Sequence, residues 1–413
     1  MKSWPEVYIP TIDSKYRISP LKLFNTASRK IEELPLQKTY RMYVCGITPY
    51  DSTHLGHAAT YVSFDLINRY LRVLKAEVRF VENITDIDDP LLERAHRDGV
   101  KWQDLAHSQI ELFRSDMTSL RVLPPQFYIG AVEAIDLVTK KIEELKKADA
   151  IYSVDKDLYF RVHSDPDFGS RSHLSIADEL RIFGERGGDP DRAGKEDQLD
   201  CLVWLNKREG EPGWTTIHGE GRPGWHIECC AIALEYLKPN PEEEYLIDIQ
   251  GGGNDLIFPH HEMSAAQARV STGKKFARAY VHTGMIGLDG EKMSKSLGNL
   301  VFVSKLMKSN VNPMTIRCAL LMKNYSEDRM WSDDLLASAE ELVAELTLHL
   351  SQQDCAPTDV VIQSIIDSLA NNLDTESVFS VLRQWIRRCQ EGVVGGNPGE
   401  LSRALDTLLG LAI

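Results

Sequence analysis

The sequence predicts an α/β fold, in which a doubly wound parallel sheet carries an inserted, mainly helical subdomain and is followed by a C-terminal helical domain. Strand-like runs alternate with amphipathic helical stretches over the first hundred residues, and this order builds a parallel sheet. After residue 312 the pattern is helical with few strand signals. The chain has 413 residues, 43% of them hydrophobic and 26% charged, so it can form several domains.

The first half of the sheet is predicted from consecutive segments. Residues 39–45 form an apolar strand, and the Gly, Pro and Asp residues of 46–53 mark a turn. An apolar-periodic helix follows over 57–71. The alternating run 77–84 is the next strand, and it ends in a polar Thr-Asp-Ile-Asp-Asp stretch. This order places the N-terminus of the helix at the turn.

The middle of the chain is predicted to be an insertion between the two halves of the sheet. Residues 90–148 are mostly amphipathic helix, with 131–150 the clearest example, and 152–162 form short strands. The polar, glycine-rich stretch 183–192 is predicted to be a mobile loop.

The second half of the sheet is predicted to begin at 200–205. A turn then leads into a helix at 221–230, and the strand 244–250 opens into Gly-Gly-Gly-Asn-Asp at 251–255. Ligands of open α/β sheets lie beyond the carboxyl ends of the strands, so we expect these loops to share one cleft with the turn at His54. The predicted units are 1–95 and 199–310 for the halves of the core, 96–198 for the insertion and 311–413 for the helical domain.

Charge argues against a nucleic-acid partner. The net charge is −14 with a pI near 5.4, and residues 332–413 carry thirteen acidic and four basic side chains, a net charge of −9. A segment that neutralises phosphates ordinarily has the opposite sign. We therefore predict small-molecule partners.

The sequence also predicts a cytoplasmic protein. No window approaches the roughly 18 apolar residues of a membrane span, and the N-terminus has no basic stretch followed by an apolar core. The seven cysteines are odd in number and scattered, which favours free thiols or metal ligands over a disulfide framework.

Two distant motifs carry the strongest functional signal. One is His-Leu-Gly-His at 54–57, and the other is Lys-Met-Ser-Lys-Ser at 292–296. Either alone has an ordinary explanation, as a surface histidine pair or a solvated loop. Together their cationic and hydrogen-bonding side chains suit the charge that develops on a nucleotide phosphate. The candidate catalytic residues are His54, His57, Lys292 and Lys295.

In this order the two motifs resemble the signature pair of class I aminoacyl-tRNA synthetases, which activate a carboxylate as an aminoacyl adenylate. The resemblance implies a Rossmann-like catalytic core. It also implies that ATP, with Mg²⁺, is a substrate.

A metal site is the second hypothesis. Cys45 ends a predicted strand, Cys229 or Cys230 lies at a helix start, and a histidine pair at 260–261 follows the glycine loop. Two thiolates and one imidazole suit zinc and leave a fourth position open, as catalytic zinc sites require. Spacing alone leaves the ordinary alternative open, because free cysteines and histidines are often core residues.

Stretches at 42–51, 224–229 and 251–262 resemble cysteinyl-tRNA synthetases, a family that selects cysteine by binding its thiolate to zinc. A serine hydroxyl cannot match that bond, so the chemistry discriminates without editing. The resemblance implies one zinc ion per chain, with Cys45, Cys229 and His260 as ligands.

Several departures from that family resemble the mycothiol-pathway cysteine ligases, which join cysteine to the amine of glucosaminyl-inositol. Ile47 and Ala59 stand where synthetases commonly have Pro and Arg. Ser264 replaces a glutamate four residues after the zinc histidine, and Gln250 replaces a histidine before the glycines. About a hundred residues follow the Lys-Met-Ser-Lys-Ser loop, little room for an anticodon-binding domain. Glu-Arg-Gly-Gly-Asp-Pro at 185–190 and Tyr-Val-His-Thr-Gly-Met-Ile-Gly at 280–287 also match the ligases.

The resemblance implies a set of substrate-binding residues: Cys45, Gly46, Ile47, Thr48, Thr60, Asn83, Ile84, Thr85, Trp225, Gly253, Asn254, Asp255 and Ile286. It implies L-cysteine, ATP and glucosaminyl-inositol as partners, without nucleic acid or membrane, and a monomer. The acceptor pocket is not located by the sequence, although Asp86, Asp88 and Glu185 are plausible partners for an amine or hydroxyl.

Two other functions stay open. The chain could be a shortened cysteinyl-tRNA synthetase, which charging of tRNA with cysteine would establish. It could also be a catalytically silent zinc-binding paralogue with a regulatory role. The intact histidines and lysines of both motifs argue against a silent copy, since such a copy is free to lose them.

Overall fold

The computed structural model describes residues 1–51, 53–240, 242–288, 290–293 and 298–413, with Lys292 described by its backbone only. The strands are β1 Lys22–Asn25, β2 Lys30–Glu33, β3 Thr39–Val44, β4 Glu77–Ile84, β5 Phe127–Gly130, β6 Ile151–Val154, β7 Asp157–Phe160, β8 Cys201–Asn206, β9 Trp214–Thr216, β10 Gly219–Pro223, β11 Tyr245–Gly253, β12 Lys275–Thr283, β13 Ile286–Leu288, β14 Glu291–Lys292 and β15 Arg329–Trp331. The α-helices are α1 Leu55–Val73, α2 Asp89–Asp98, α3 Trp102–Ser119, α4 Ile135–Lys147, α5 Ile176–Glu185, α6 Trp225–Leu237, α7 Glu262–Thr272, α8 Val303–Lys308, α9 Pro313–Leu321, α10 Asp333–Leu350, α11 Asp359–Ala370, α12 Thr375–Gln390 and α13 Pro398–Leu409.

The central sheet is parallel, with its described strands in the order β12-β11-β3-β4-β5. The chain runs outward from β3 through β4 to β5, and it later resumes on the other side of β3 with β11 and β12. The order therefore reverses between β3 and β11, where doubly wound sheets open their ligand crevice. Cys45 follows β3 at that point, and Gly253 ends β11. The predicted α/β fold class is confirmed.

Helices cover both faces of the central sheet. Helix α1 packs on one face and is buried along most of its length, because α9 and α13 cover its other side. Helices α6 and α7 cover the opposite face. Gly251 of β11 permits the close approach of α1, since a Cβ atom there would lie 2.2 Å from the Phe64 ring.

A second sheet belongs to the inserted part of the chain, with the strand order β6-β7-β8-β10-β9 and antiparallel pairing. The prediction that residues 200–205 return to the central sheet is therefore wrong. Strand β8 pairs with β7 and β10 instead. A short apolar strand that is buried on both faces has the same sequence pattern in the central sheet and in the second sheet. The sequence therefore could not show which sheet this strand joins.

Two further expectations for the middle of the chain need correction. Phe127–Gly130 is the edge strand of the central sheet, although the sequence pattern assigned it to the helical insertion. The stretch 183–192, predicted as a loop, begins inside α5, which ends at Glu185. Helices α1 and α4 occupy the predicted stretches, with α1 beginning two residues early, at Leu55.

The C-terminal helices are joined to the core by a buried ionic network. Asp65 and Arg69 of α1 and Arg317 of α9 all have fully buried side chains. Arg69 donates to Asp65 over 2.6 Å, and Arg317 donates to the same carboxylate. Arg317 also donates to the carbonyl oxygens of Leu120 and Leu409, which ties α3 and α13 to this point.

None of the helices in the described part of the chain is long and apolar enough to cross a membrane. All seven cysteines are free thiols, and all but Cys389 are buried.

Candidate active site

A cavity of about 1030 Å³ opens at the carboxyl ends of β3 and β11. It is lined by the turn at His54 and the start of α1, by the strand ends and by the start of α6, which the sequence predicted to share one cleft. Residues of the insertion line it as well. The lining includes most of the predicted site residues, namely Cys45, Gly46, Ile47, Thr48, His54, His57, Thr60, Asn83, Thr85, Trp225, Cys229, Gly253, Asp255, His260 and Ile286.

The first histidine of the motif also starts the helix. His54 is the N-cap of α1, and its Nδ1 atom accepts a hydrogen bond from the amide of Gly56 over 3.1 Å. A neutral imidazole that accepts at Nδ1 carries its proton at Nε2, so His54 can donate from that atom to an anion. The ring of His57 stacks on that of His54 at 3.8 Å. Both side chains thus face the cavity at a helix N-terminus, which itself favours negative charge.

The chain that follows the second motif is fastened to the first. Leu55 donates its amide hydrogen to the carbonyl of Val301, and Val303 donates to the carbonyl of Thr53. Met293, inside the second motif, lines the cavity. These contacts bring the segments of the two motifs together. Lys295 lies outside the described residues, so the predictions for the side chains of Lys292 and Lys295 stay untested.

Three potential metal ligands converge at the cavity. The Sγ atoms of Cys45 and Cys229 lie 3.9 Å apart, and His260 Nε2 lies 3.1 Å from Cys229 Sγ. The three ligand atoms are buried and lie within 4.8 Å of one another. Two sulfurs bound tetrahedrally to one zinc at about 2.3 Å would lie about 3.8 Å apart, so the observed sulfur spacing fits a shared ion.

Neighbouring groups set the charge of the two thiols. Burial raises the pKa of Cys45 well above its usual value. Burial also opposes ionisation of Cys229, but its contacts with Cys45 and His260 lower the pKa of that thiol below the usual value. The pair therefore favours a thiolate at Cys229, the form that binds a metal.

Neighbouring aromatic side chains contact members of the cluster or their partners. Trp225, one helical turn before Cys229, stacks on His260 at 4.3 Å. His261 Nε2 lies 3.1 Å from Cys45 Sγ, and its Nδ1 atom contacts His282 Nε2 at 2.7 Å. Contacts of this kind orient metal ligands.

Ser264 does not contribute a fourth ligand. Its hydroxyl lies 3.0 and 2.8 Å from the carbonyl oxygens of His226 and His260, and it donates its one hydrogen to these backbone acceptors. Among the residues that the structure describes, the only metal-ligand cluster is Cys45, Cys229 and His260. One position of a tetrahedral ion would therefore remain open to a substrate.

Several predicted binding residues hold the backbone of the turn that follows β3. Asn83 Oδ1 accepts hydrogen bonds from the amide of Gly46 and from the hydroxyl of Tyr43, both at 2.9 Å. Gly46 packs so closely that a Cβ atom would lie 1.5 Å from the carbonyl oxygen of Asn83. Thr85 donates its amide hydrogen to Ile47. These bonds fix the turn that presents Cys45.

Among the described residues, three that were proposed from the sequence do not line the cavity. Ile84 is fully buried in the core. Asn254 donates from its side-chain Nδ2 to Oδ1 of Asp328 over 3.2 Å. Asp86 accepts a hydrogen bond from the amide of Val132 over 2.9 Å. By contrast, Asp88 and Glu185 do line the cavity.

Arg186 is a residue whose role the sequence did not reveal. It follows α5 and donates from Nη1 to the carbonyl oxygens of Asp255 and Phe258. The clamped segment lies between the end of β11 and His260, so it connects the glycine loop to the metal cluster. The Glu-Arg-Gly-Gly-Asp-Pro match was the signal that could have suggested a role for this stretch.

An Arg186→Met protein is expected to lose about tenfold to a hundredfold in kcat/KM for cysteine activation. A hydrogen bond from a charged group is worth about 1.5–3 kcal/mol, and both clamped carbonyls lie next to the site. Cysteine-dependent exchange between ATP and pyrophosphate measures the effect. Arg181→Met is the control, because Arg181 lies on α5, the helix that precedes Arg186, in an exposed ion pair with Glu185. Equal activity of the two variants would contradict the proposed role of the Arg186 hydrogen bonds.

Comparison with known proteins shows which catalytic domain the chain contains. Residues 32–341 match the family model described as the class I (C) tRNA synthetase catalytic domain. The fold is similar to that of Mycobacterium tuberculosis methionyl-tRNA synthetase in complex with methionyl-adenylate, with a TM-score of 0.62, 18% identity, and coverage of 91% of this chain and 89% of that one. The fold and the matched domain define a class I synthetase-type catalytic core.

Curated relatives narrow the class further. Proteins of Gordonia bronchialis and Kribbella flavida, each named L-cysteine:1D-myo-inositol 2-amino-2-deoxy-alpha-D-glucopyranoside ligase, are 50% identical to this chain, with 100% of both sequences covered. A protein of the same name from Streptomyces coelicolor is 48% identical over the same share. The chain belongs to this family of cysteine ligases.

Proposed function

We propose that this protein is an ATP-dependent ligase that joins L-cysteine to the amine of glucosaminyl-inositol in mycothiol biosynthesis, through a cysteinyl adenylate and with release of AMP and pyrophosphate. The observation that carries the proposal is one cavity that is lined both by a Cys-Cys-His cluster and by the His54–His57 pair. The first suits a thiol and the second a phosphate.

Zinc is the metal that the donor set supports. Two thiolates and an imidazole are soft and borderline ligands, and the sulfur spacing fits tetrahedral zinc. When bound by Cys45, Cys229 and His260, zinc would act as a Lewis acid that binds the thiolate of cysteine more strongly than the hydroxyl of serine.

The chain's own residues would then position the two ends of the reactants. The cluster fixes the side chain of cysteine, so that its carboxylate reaches toward the α-phosphate of ATP. His54 donates from Nε2 to the phosphates as negative charge develops on them, and His57, Lys292 and Lys295 assist. Mg²⁺ accompanies ATP as part of the substrate.

The second step forms the amide. The neutral amine attacks the carbonyl carbon of the adenylate, the bond from that carbon to the phosphate oxygen breaks, and AMP leaves with the electron pair. The nitrogen releases one proton to water. The Lys-Met-Ser-Lys-Ser segment is proposed to exclude water during the first step, since an adenylate hydrolyses when exposed.

AMP release from ATP and L-cysteine tests the proposal, with glucosaminyl-inositol or deacylated tRNA as the added acceptor. We expect stimulation by the amino sugar and a cysteinyl amide as the product. Stimulation by tRNA alone would favour a shortened synthetase. Failure to activate cysteine would favour a silent paralogue. A cytoplasmic location and a monomeric state remain predictions.

A further inference from the structure

One wall of the cavity has no role in the proposed binding of cysteine by the metal cluster or of phosphate by the His54–His57 pair. It lies between the start of α2 and the inserted sheet. We call it the acid-rich wall and define it by Asp88, Asp89, Glu211, Arg222 and Glu228, all of which line the cavity.

We propose that the acid-rich wall binds the acceptor, an amino sugar that carries one ammonium group and many hydroxyls. The inference rests on the proposed function and assigns its second substrate to a place. Pockets for small ligands measure about 300–1000 Å³, and this cavity, at about 1030 Å³, lies at the upper end of that range.

Glu228 is the observation that points to a missing ligand. Its side chain is 1% exposed, and its Oε2 atom has no hydrogen-bond partner among the described residues. A buried carboxyl oxygen without a partner costs about 1–3 kcal/mol or more. A hydrogen-bond donor arriving in the cavity would remove that cost, and an ammonium or hydroxyl group is such a donor.

Asp88 adds a second acceptor on the same side. Its Oδ1 atom accepts the amide hydrogen of Asp89 as the N-cap of α2, and its Oδ2 atom accepts none from the described residues. Burial raises the pKa of Asp88 to about 6. Asp88 and Glu228 both line the cavity, and we call their two carboxyl groups the acidic locus. That locus suits the amine end of the acceptor.

Arg222 and its two carboxylate partners form a mixed group, in which the guanidinium can donate hydrogen bonds and the carboxylates can accept them. Its side chain is 6% exposed and pairs with Asp89 and, over 3.4 Å, with Glu211. Its buried Nε atom has no partner within the described part of the chain. Sugar hydroxyls both donate and accept, so this mixed group suits the polyol end.

The position also suits the chemistry. Glu228 and the proposed ligand Cys229 both line the cavity, so an amine at the acidic locus shares that cavity with the cluster that would hold the cysteine thiol.

Asp88→Asn and Glu211→Gln test the acceptor wall, with Glu209→Gln as the control. Asparagine caps a helix as well as aspartate, so α2 keeps its start. Glu209 is exposed and does not line the cavity. The measurements are the KM for glucosaminyl-inositol in AMP release and the rate of cysteine-dependent exchange between ATP and pyrophosphate.

We expect the KM for the amino sugar to rise at least about tenfold in both variants, since one hydrogen bond to a charged group is worth about 1.5–3 kcal/mol. Any loss in the exchange reaction should be at least tenfold smaller than the loss in the ligation step. An unchanged acceptor KM in both variants, with an active wild type, overturns the acceptor wall alone. A wild type that does not ligate the amino sugar overturns the proposed function as well.

Discussion

A Cys229→Ser protein is expected to lose its bound zinc and at least about a hundredfold of its cysteine activation. Cys229 contacts both other members of the cluster, and its loss leaves one thiol and one imidazole. Removing even an outer partner of a metal ligand typically costs tenfold to a hundredfold in affinity or activity, so removing a ligand should cost more. Zinc content by mass spectrometry and cysteine-dependent pyrophosphate exchange measure the two losses.

Cys230→Ser provides a matched control at the next position. Both thiols are buried on α6, at 1% and 0% exposure. Adjacent residues of a helix point about 100° apart, and only Cys229 belongs to the cluster. A Cys230→Ser protein should therefore keep one zinc per chain. Retention of zinc by Cys229→Ser, or its loss from Cys230→Ser, would refute the assigned ligands.

An Arg317→Met protein is expected to lose about 3–5 kcal/mol in its free energy of unfolding. Removing one partner leaves the buried Asp65 carboxylate undercompensated. Urea denaturation followed by tryptophan fluorescence measures the loss. Arg388→Met on α12 is the control, because Arg388 is exposed and its loss should change stability by no more than about 0.5 kcal/mol. A loss below about 1 kcal/mol for Arg317→Met would contradict the role of the network.

The same network implies a dependence on pH. Burial tends to raise the pKa of Asp65, but Arg69 and Arg317 outweigh it, so the pKa lies below its usual value. A depressed carboxyl pKa stabilises the folded state above the unfolded pKa of about 3.9. That contribution is lost as the pH falls through the lower, folded pKa.

The sequence predicted those parts of the fold whose pattern is local. Strand β4 was predicted at its observed bounds, because its alternation ends at a polar stretch. The misplacement of β8 has the opposite cause, since pairing partners far along the chain decide which sheet an apolar run joins. Strand β5 has four residues, too few for a periodic signal.

The residues of the site also fall into two groups, those that motifs in the sequence indicated and those that only the structure revealed. The motifs identified the histidines, and the family resemblance, not the spacing, chose Cys229 over Cys230 and His260 over His261. The cluster found in the structure contains the chosen residues. The clamp of Arg186 and the unpartnered oxygen of Glu228 depend on contacts between distant segments. No local pattern encodes such contacts.

Cobalt substitution tests the central claim most directly, namely that cysteine is selected by a metal held by Cys45, Cys229 and His260. Cobalt(II) in place of zinc has a sulfur-to-cobalt charge-transfer absorption band, whose intensity increases with the number of thiolate ligands. Adding L-cysteine without ATP should strengthen the sulfur-to-cobalt absorption band, and adding L-serine should leave it unchanged. An unchanged spectrum with L-cysteine, in a cobalt protein that still activates cysteine, would contradict the claim.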